Sequence, residues 1–223
     1  YMGSKNRIAK HILPIILKYR KDNKNYIETF VGSANMIDKD DGSRIGNDVN
    51  KYLIAMWKGL QQNLDRPYHI DKELYSWART AYNSNDNSIF NDFLIGWIGW
   101  MGRYNGRFFD GGYSGHAVGE RDYITEQIKN TESQIVNIQN VQFVSKDYSE
   151  LILPSNSIIY CDIPYKNTKQ YSSSKNFDHD NFWNWAKEKS QDGHEVFISE
   201  YNAPDDFECI WEMKVTNSMN TTK

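Results

Sequence analysis

The sequence predicts an α/β domain built on a largely parallel sheet. Short apolar runs alternate with amphipathic helical stretches, which is the signature of strand–helix–strand units. Two of those runs end in turns rich in small or acidic residues, where such sheets place ligands. An aromatic, helix-rich block interrupts the alternation and divides the chain into a catalytic-type domain, 1–64 and 139–223, and an inserted subdomain, 65–138.

From Lys5 to Tyr19, Ile8, Ile12, Ile15, Ile16 and Tyr19 recur at helical spacing, with Pro14 expected to kink or divide the helix. Tyr26 to Phe30 reads as a buried strand running into the turn Val31-Gly32-Ser33-Ala34-Asn35. Arg44 to Asn47 reads as a second strand, and Val49 to Leu64 as the helix after it. Helices are expected over 71–82, 87–101 and 122–138, with Trp77, Trp97 and Trp100 in the subdomain core. Val141 to Val144, Ser157 to Cys161, Glu195 to Ser199 and Glu208 to Val215 read as further strands. A helix over 178–191 begins at the N-cap residue Asp178.

Composition narrows the function. No window approaches the ~18 uninterrupted apolar residues of a membrane span. The absence of a basic-then-apolar leader and the two widely spaced cysteines, Cys161 and Cys209, point to a reducing cytoplasm. Tyr1 stands within a motif and the tail after Val215 is polar, so neither end reads as a natural terminus, and the tail is expected to be mobile. A net charge of −3 excludes a globally basic nucleic-acid binder. Charge is nevertheless uneven, with Lys5, Arg7, Lys10, Lys18, Arg20, Lys21 and Lys24 in the first 24 residues against a lone Asp22, and local positive surface is what a polyanion meets. His116 and His194 lie away from any cluster with ligand spacing, so no metal is expected.

Three turns carry candidate chemistry. Asp162-Ile163-Pro164-Tyr165 follows an apolar strand. A carboxylate of Asp162 and the carbonyl of Ile163 suit the two N–H groups of a planar exocyclic amine. Accepting both would free the nitrogen lone pair for attack. Pro164 holds Ile163 extended, and Tyr165 offers a ring on which a base stacks, worth roughly 1–3 kcal/mol. The competing reading is an ordinary Asp-x-Pro turn. Gly32 and its small neighbours allow close approach of a ligand, or merely turn the chain tightly. Asp48, sixteen positions on, suits the hydroxyls of a ribose, or alternatively caps the following helix.

Taken in order, these motifs resemble the Dam-type, or D12-class, adenine-N6 DNA methyltransferases of the alpha group. Tyr1-Met2-Gly3-Ser4-Lys5 is similar to that family's aromatic-x-Gly-Gly-Lys motif. Tyr26-x-Glu28-x-Phe30-x-Gly32-x-Ala34 is similar to its cofactor loop, Asn47-Asp48-Val49-Asn50 to its acidic motif, and Asp162-Ile163-Pro164-Tyr165 to its Asp-Pro-Pro-Tyr. The resemblance implies a Rossmann-like sheet that binds S-adenosylmethionine and methylates N6 of an adenine flipped from double-stranded DNA. It implies cofactor contacts from Tyr1, Lys5, Phe30, Gly32, Ser33, Asp48, Asp147, Tyr148 and Asp162; a monomer or weak dimer is expected, though the sequence leaves the oligomeric state open. Ile163 stands where the family has its first proline, and Ser33 and Ala34 replace glycines, which suits a turn of negative φ.

The inserted block contains the loop Gly102 to Tyr113, whose Arg103-Tyr104-Asn105 resembles the family's target-recognition hairpin. Arg103, Tyr104, Asn105, Arg107 and Tyr113 are the expected DNA contacts, because arginine reads guanine edges and asparagine adenine. A surface hairpin that only stabilises its own subdomain is the alternative. Two rivals stand beside the main reading: methylation of another planar amine, and a DNA-binding module without catalysis.

Overall fold

A computed structural model describes residues 5–18, 20, 24–115, 117–118, 121–166 and 176–213. Five strands form one parallel sheet: β1 (Tyr26–Glu28), β2 (Arg44–Asn47), β5 (Val141–Val144), β6 (Ile158–Asp162) and β7 (Glu195–Ser199). Their order is β5-β2-β1-β6-β7. A two-stranded antiparallel pair, β3 (Ala117–Val118) and β4 (Arg121–Asp122), stands apart from it. The order reverses between β1 and β6: the chain builds outward from β1 through β2 to β5, then returns to the other side of β1. In open α/β sheets this is where the carboxyl ends of adjacent strands open a crevice.

Burial on both faces explains why the strands read as continuous apolar runs. In β6, Ile158 and Tyr160 join a cluster on one face, while Ile159 and Cys161 join a second cluster on the other. The second cluster is closed by Phe182, Trp183, Trp185 and Ala186 of α6 (His179–Gln191). Asp178 caps that helix through the Asn181 N–H. The first cluster is larger. It joins the sheet to α1 (Ala9–Leu17), α2 (Lys51–Gln61), α3 (Lys72–Ser84), α4 (Asp92–Met101) and α5 (Tyr123–Glu132). Apolar packing is therefore continuous from β1 into the aromatic block, with Trp57 and Trp97 both fully buried.

Several elements differ from the sequence reading. The first helix runs through Pro14 without interruption; the break falls at Ile8, where a 3₁₀ turn (Lys5–Arg7) hands over to α1. The fourth helix starts at Asp92, because the Asn91 side chain caps it through the Leu94 N–H. The fifth ends at Glu132 and is followed by a separate 3₁₀ turn, Ile135–Ile138. Glu208–Met213 form no strand. Side-chain contacts hold this stretch and its approach instead, with Phe207 against Trp183 and Trp211 stacked on His11; 214–215 lie outside the described residues. Trp97 and Trp100 are buried as expected, but Trp77 is 57% exposed on α3. Among the described residues no helix is long and apolar enough to cross a membrane, and no group of three or more metal-ligating side chains converges.

Candidate active site

The turns after β1, β2 and β6 open at one edge of the sheet, as parallel strands require. They line a single cleft of about 2350 Å³, together with Lys5 and the turn after β5. After β1 the chain is drawn across to β2 by the Val31 N–H, which donates to the Asn47 carbonyl at 2.7 Å. Asn47, buried at the end of β2, fastens three strand ends. Its amide donates to the carbonyls of Thr29 and Lys146 and accepts the Lys146 N–H, each at 3.0 Å.

Gly32 and Ala34 adopt left-handed backbone, φ 45° and 53°. The expectation of a negative-φ turn at the replaced glycines therefore holds for Ser33 and fails at Ala34, where an alanine accepts a conformation that ordinarily favours glycine. The surroundings hold it there. Gly32 donates its N–H to Asp48 Oδ2 at 3.1 Å, its carbonyl accepts Trp57 Nε1–H at 3.0 Å, and the Ser33 carbonyl accepts Gln134 Nε2–H at 3.1 Å. Asp48 does not cap α2: Asn50 does, through the N–H groups of Tyr52 and Leu53. Asp48 instead bridges two loops, taking the Gly32 N–H on one oxygen and the Asn50 N–H on the other. Burial raises its pKa, and the two backbone bonds pull it back.

Phe30 packs with Tyr148 and Phe177, ring centroids 5.7 Å apart in each pair, forming an aromatic wall on the same cleft. Tyr148 is buried, whereas its neighbour Asp147 is exposed and caps a short turn through the Ser149 N–H.

Asp162 closes β6, half-buried at the mouth. Lys5 Nζ donates to its Oδ1 at 2.6 Å and to the Tyr165 hydroxyl at 2.8 Å. Burial pushes the Asp162 carboxyl up from its ordinary range, and the Lys5 ammonium opposes that shift. Among the described residues neither Asp162 Oδ2 nor the Ile163 carbonyl oxygen carries a hydrogen bond. The Ile163 side chain is buried in the second cluster, which anchors the turn. His179 Nε2 meets the Pro164 carbonyl at 2.8 Å, a grip that no local signal reveals because the residues lie on different elements. Cys161, one residue before Asp162, is fully buried. Burial lifts its thiol to about 12, which removes it from nucleophilic chemistry.

Glu28 lies beneath the cofactor-type turn, 3% exposed, accepting the Tyr26 hydroxyl at 3.0 Å. Burial raises its pKa well above the usual carboxylate range. The folded state thus keeps a proton that the unfolded chain releases. The associated stability is present below about 4.5 and is lost as pH rises through the folded value. Glu28→Gln, which keeps an acceptor for Tyr26, is expected to raise Tm at pH 8 by about 2–4 °C. That advantage should vanish at pH 4; melting curves at both pH values check it.

The recognition-type loop is a hairpin. The Tyr104 N–H donates to the Gly112 carbonyl and the Ser114 N–H to the Gly102 carbonyl, with Arg103 bridged to Tyr113. The expected contact residues separate into two groups. Tyr104 and Asn105 are exposed and Arg107 half-buried at the tip. Arg103 and Tyr113 are turned inward. The Arg103 guanidinium sits 3.6 Å above the Trp100 ring and donates to the Trp100 carbonyl and to Gln127, while the Tyr113 hydroxyl donates to the Ile70 carbonyl at 2.7 Å. Arg103, only 7% exposed, holds the hairpin onto α4 and α5, and Tyr113 ties it to the segment that precedes α3.

The site therefore brings together Lys5, Phe30, Gly32, Ser33, Asp48, Asp147, Tyr148 and the Asp162–Tyr165 turn on one cleft, which Asn105 also reaches. Tyr1 lies outside the described residues. Comparison with curated proteins gives no match. Residues 1–92, which include Lys5, the turn after β1 and Asp48 but end before Asp162, match the family profile of D12 class N6 adenine-specific DNA methyltransferases.

Proposed function

We propose that this protein transfers a methyl group from S-adenosylmethionine to N6 of an adenine flipped out of double-stranded DNA. One observation carries the reading: Asp162 and the turn at Gly32 end adjacent strands, β6 and β1, at the point where the sheet order reverses, and Lys5 links to Asp162 within the same cleft.

The residues present fit the cofactor. A left-handed turn with small side chains admits close approach, Asp48 holds a carboxylate ready for a ribose, and the Phe30–Tyr148 wall suits an adenine ring. S-adenosylmethionine, when bound, supplies an activated methyl group on a sulfonium. The chain's own residues then act on the acceptor. Asp162 Oδ2 and the Ile163 carbonyl take the two N6–H bonds, which draws the nitrogen toward tetrahedral geometry and exposes its lone pair. Tyr165 stacks on the base. Asp162, made more basic by burial, would hold the amine proton that leaves as the new C–N bond forms and the donor's methyl–sulfur bond breaks, the electron pair staying on the departing thioether. Lys5 fixes both Asp162 and Tyr165, so the acceptor and the stacking ring stay in register. The hairpin tip, Tyr104 to Arg107, is the DNA-contacting surface, with Arg103 and Tyr113 as its internal supports. In this reading 65–138 acts as the recognition unit on a catalytic body.

Incubating the protein with unmethylated DNA and S-adenosylmethionine, followed by sequencing for modified adenine, tests chemistry and target together. N6-methyladenine at a fixed sequence context is the expected result. Modified cytosine, or no modification, would refute the proposal.

A further inference from the structure

The Asp162–Tyr165 turn is gripped from outside its own strand, and two of the grips come from the residues just past β7. Asp162 pairs with Ser199 at the end of the parallel β6–β7 ladder, so Glu200 and Tyr201 are the first residues beyond it. Glu200 Oε2 accepts the Lys166 N–H at 2.9 Å, and its Oε1 accepts the Tyr201 N–H at 2.6 Å. One carboxylate thus ties the segment leaving Tyr165 to the segment leaving β7. The Tyr201 ring meets the Tyr165 ring edge-on, centroids 4.7 Å apart at 75°. Tyr201 is 62% exposed, too open for its burial to matter much to the core, yet its ring lies against the proposed stacking platform.

We propose that Glu200 and Tyr201 are positioning residues for methyl transfer: together they fix the plane of the Tyr165 ring on which the target base stacks. The proposal rests on the adenine methyltransferase reading. The need is geometric. A turn leaving a strand swings unless it is held, and a reacting group must be held to within about 10–20° of its productive orientation. Lys5 holds the Tyr165 hydroxyl at 2.8 Å and so fixes one point of the ring; a second contact at the ring edge is needed to stop rotation about that point. Tyr201 supplies it, and Glu200 sets where Tyr201 begins.

Tritiated-methyl transfer to unmethylated genomic DNA, with the cofactor varied, separates this role from a structural one. Tyr201→Leu should lower kcat about tenfold and leave the KM for S-adenosylmethionine within about twofold. Tyr201→Phe, which keeps the ring edge, should recover most of that loss. Glu200→Gln, whose amide accepts one N–H but not both, should fall between Tyr201→Leu and the unaltered protein. A Tyr201→Leu protein with unchanged kcat, one whose cofactor KM rises as much as its kcat falls, or a Tyr201→Phe protein as impaired as Tyr201→Leu would each overturn the proposal while the methyltransferase reading stands. An unaltered protein that transfers no methyl group would overturn both.

Discussion

Asp162→Ala is expected to reduce methyl transfer by at least about 10³-fold, since in the proposed mechanism it removes both a hydrogen-bond acceptor for the amine and the group that holds its proton. The same change has a structural cost that must be read apart from the catalytic one. Lys5 is buried, with Asp162 and Tyr165 as its partners among the described residues, and loss of the carboxylate leaves the ammonium with only the Tyr165 hydroxyl among them. Leaving a buried polar group under-satisfied costs about 1–3 kcal/mol, which lowers Tm by several degrees for a chain of this size. Asp162→Asn separates the two effects. Its amide oxygen still accepts from Lys5, so Tm should stay within a few degrees of the unaltered protein. The neutral amide cannot take the proton, so turnover should still fall by about 10²–10³. Tritium transfer and thermal melts on both variants check this. An Asp162→Ala protein of full activity would remove Asp162 from the mechanism.

How much of this site a reader of the sequence alone recovers follows from the range of each interaction. Strand β2, strand β5 and the Asp178 cap of α6 are local: alternation, apolar runs and an N-cap residue sit within a few positions of one another, and the structure places them where those signals do. That the turns after β1 and β6 share a cleft is also legible, because parallel strands bring their carboxyl ends to one edge. The particular contacts are not. Lys5 and Asp162 are 157 positions apart, and nothing near either residue names its partner. Asp48 shows the same limit at shorter range. An acidic residue just before a helix looks like its cap, yet Asn50 takes that role and leaves Asp48 to bind the Gly32 N–H. Side-chain direction is hidden as well. Arg103 and Arg107 read alike in a glycine-rich loop, but only packing against Trp100 turns the first inward. Trp77 looks like its buried neighbours until the packing of α3 on α4 shows which face is left outside.

The packing of α4 on α2 determines the largest stability effect, at Gly96. Helix α4 crosses α2 so closely that a Cβ at Gly96 would run into the Tyr52 carbonyl oxygen, with the Tyr52 carbonyl carbon at 2.9 Å and Met56 Cβ at 3.1 Å. The first two are backbone atoms inside α2, and they move only if the helix moves. On an isolated helix, glycine to alanine gains about 1 kcal/mol. Here overpacking opposes that gain, and it also separates the layer that buries Trp57, Ile95 and Trp97. Gly96→Ala should therefore destabilise the protein by about 2–3 kcal/mol net, a fall in Tm of about 5–10 °C. The functional consequence follows from the connectivity. Helix α4 ends at Met101 and runs directly into the Gly102–Ser114 hairpin, whose Arg103 is clamped on Trp100. A displaced α4 displaces the hairpin, while the turns after β1 and β6 keep their own anchors in Asn47 and Lys5. Below its melting temperature, Gly96→Ala should bind S-adenosylmethionine within about twofold of the unaltered protein by calorimetry, yet need several-fold more DNA for half-maximal methyl transfer. If cofactor and DNA affinities fell together, the two ends of the cleft would be mechanically one unit, and the hairpin would not be an independently displaced recognition element.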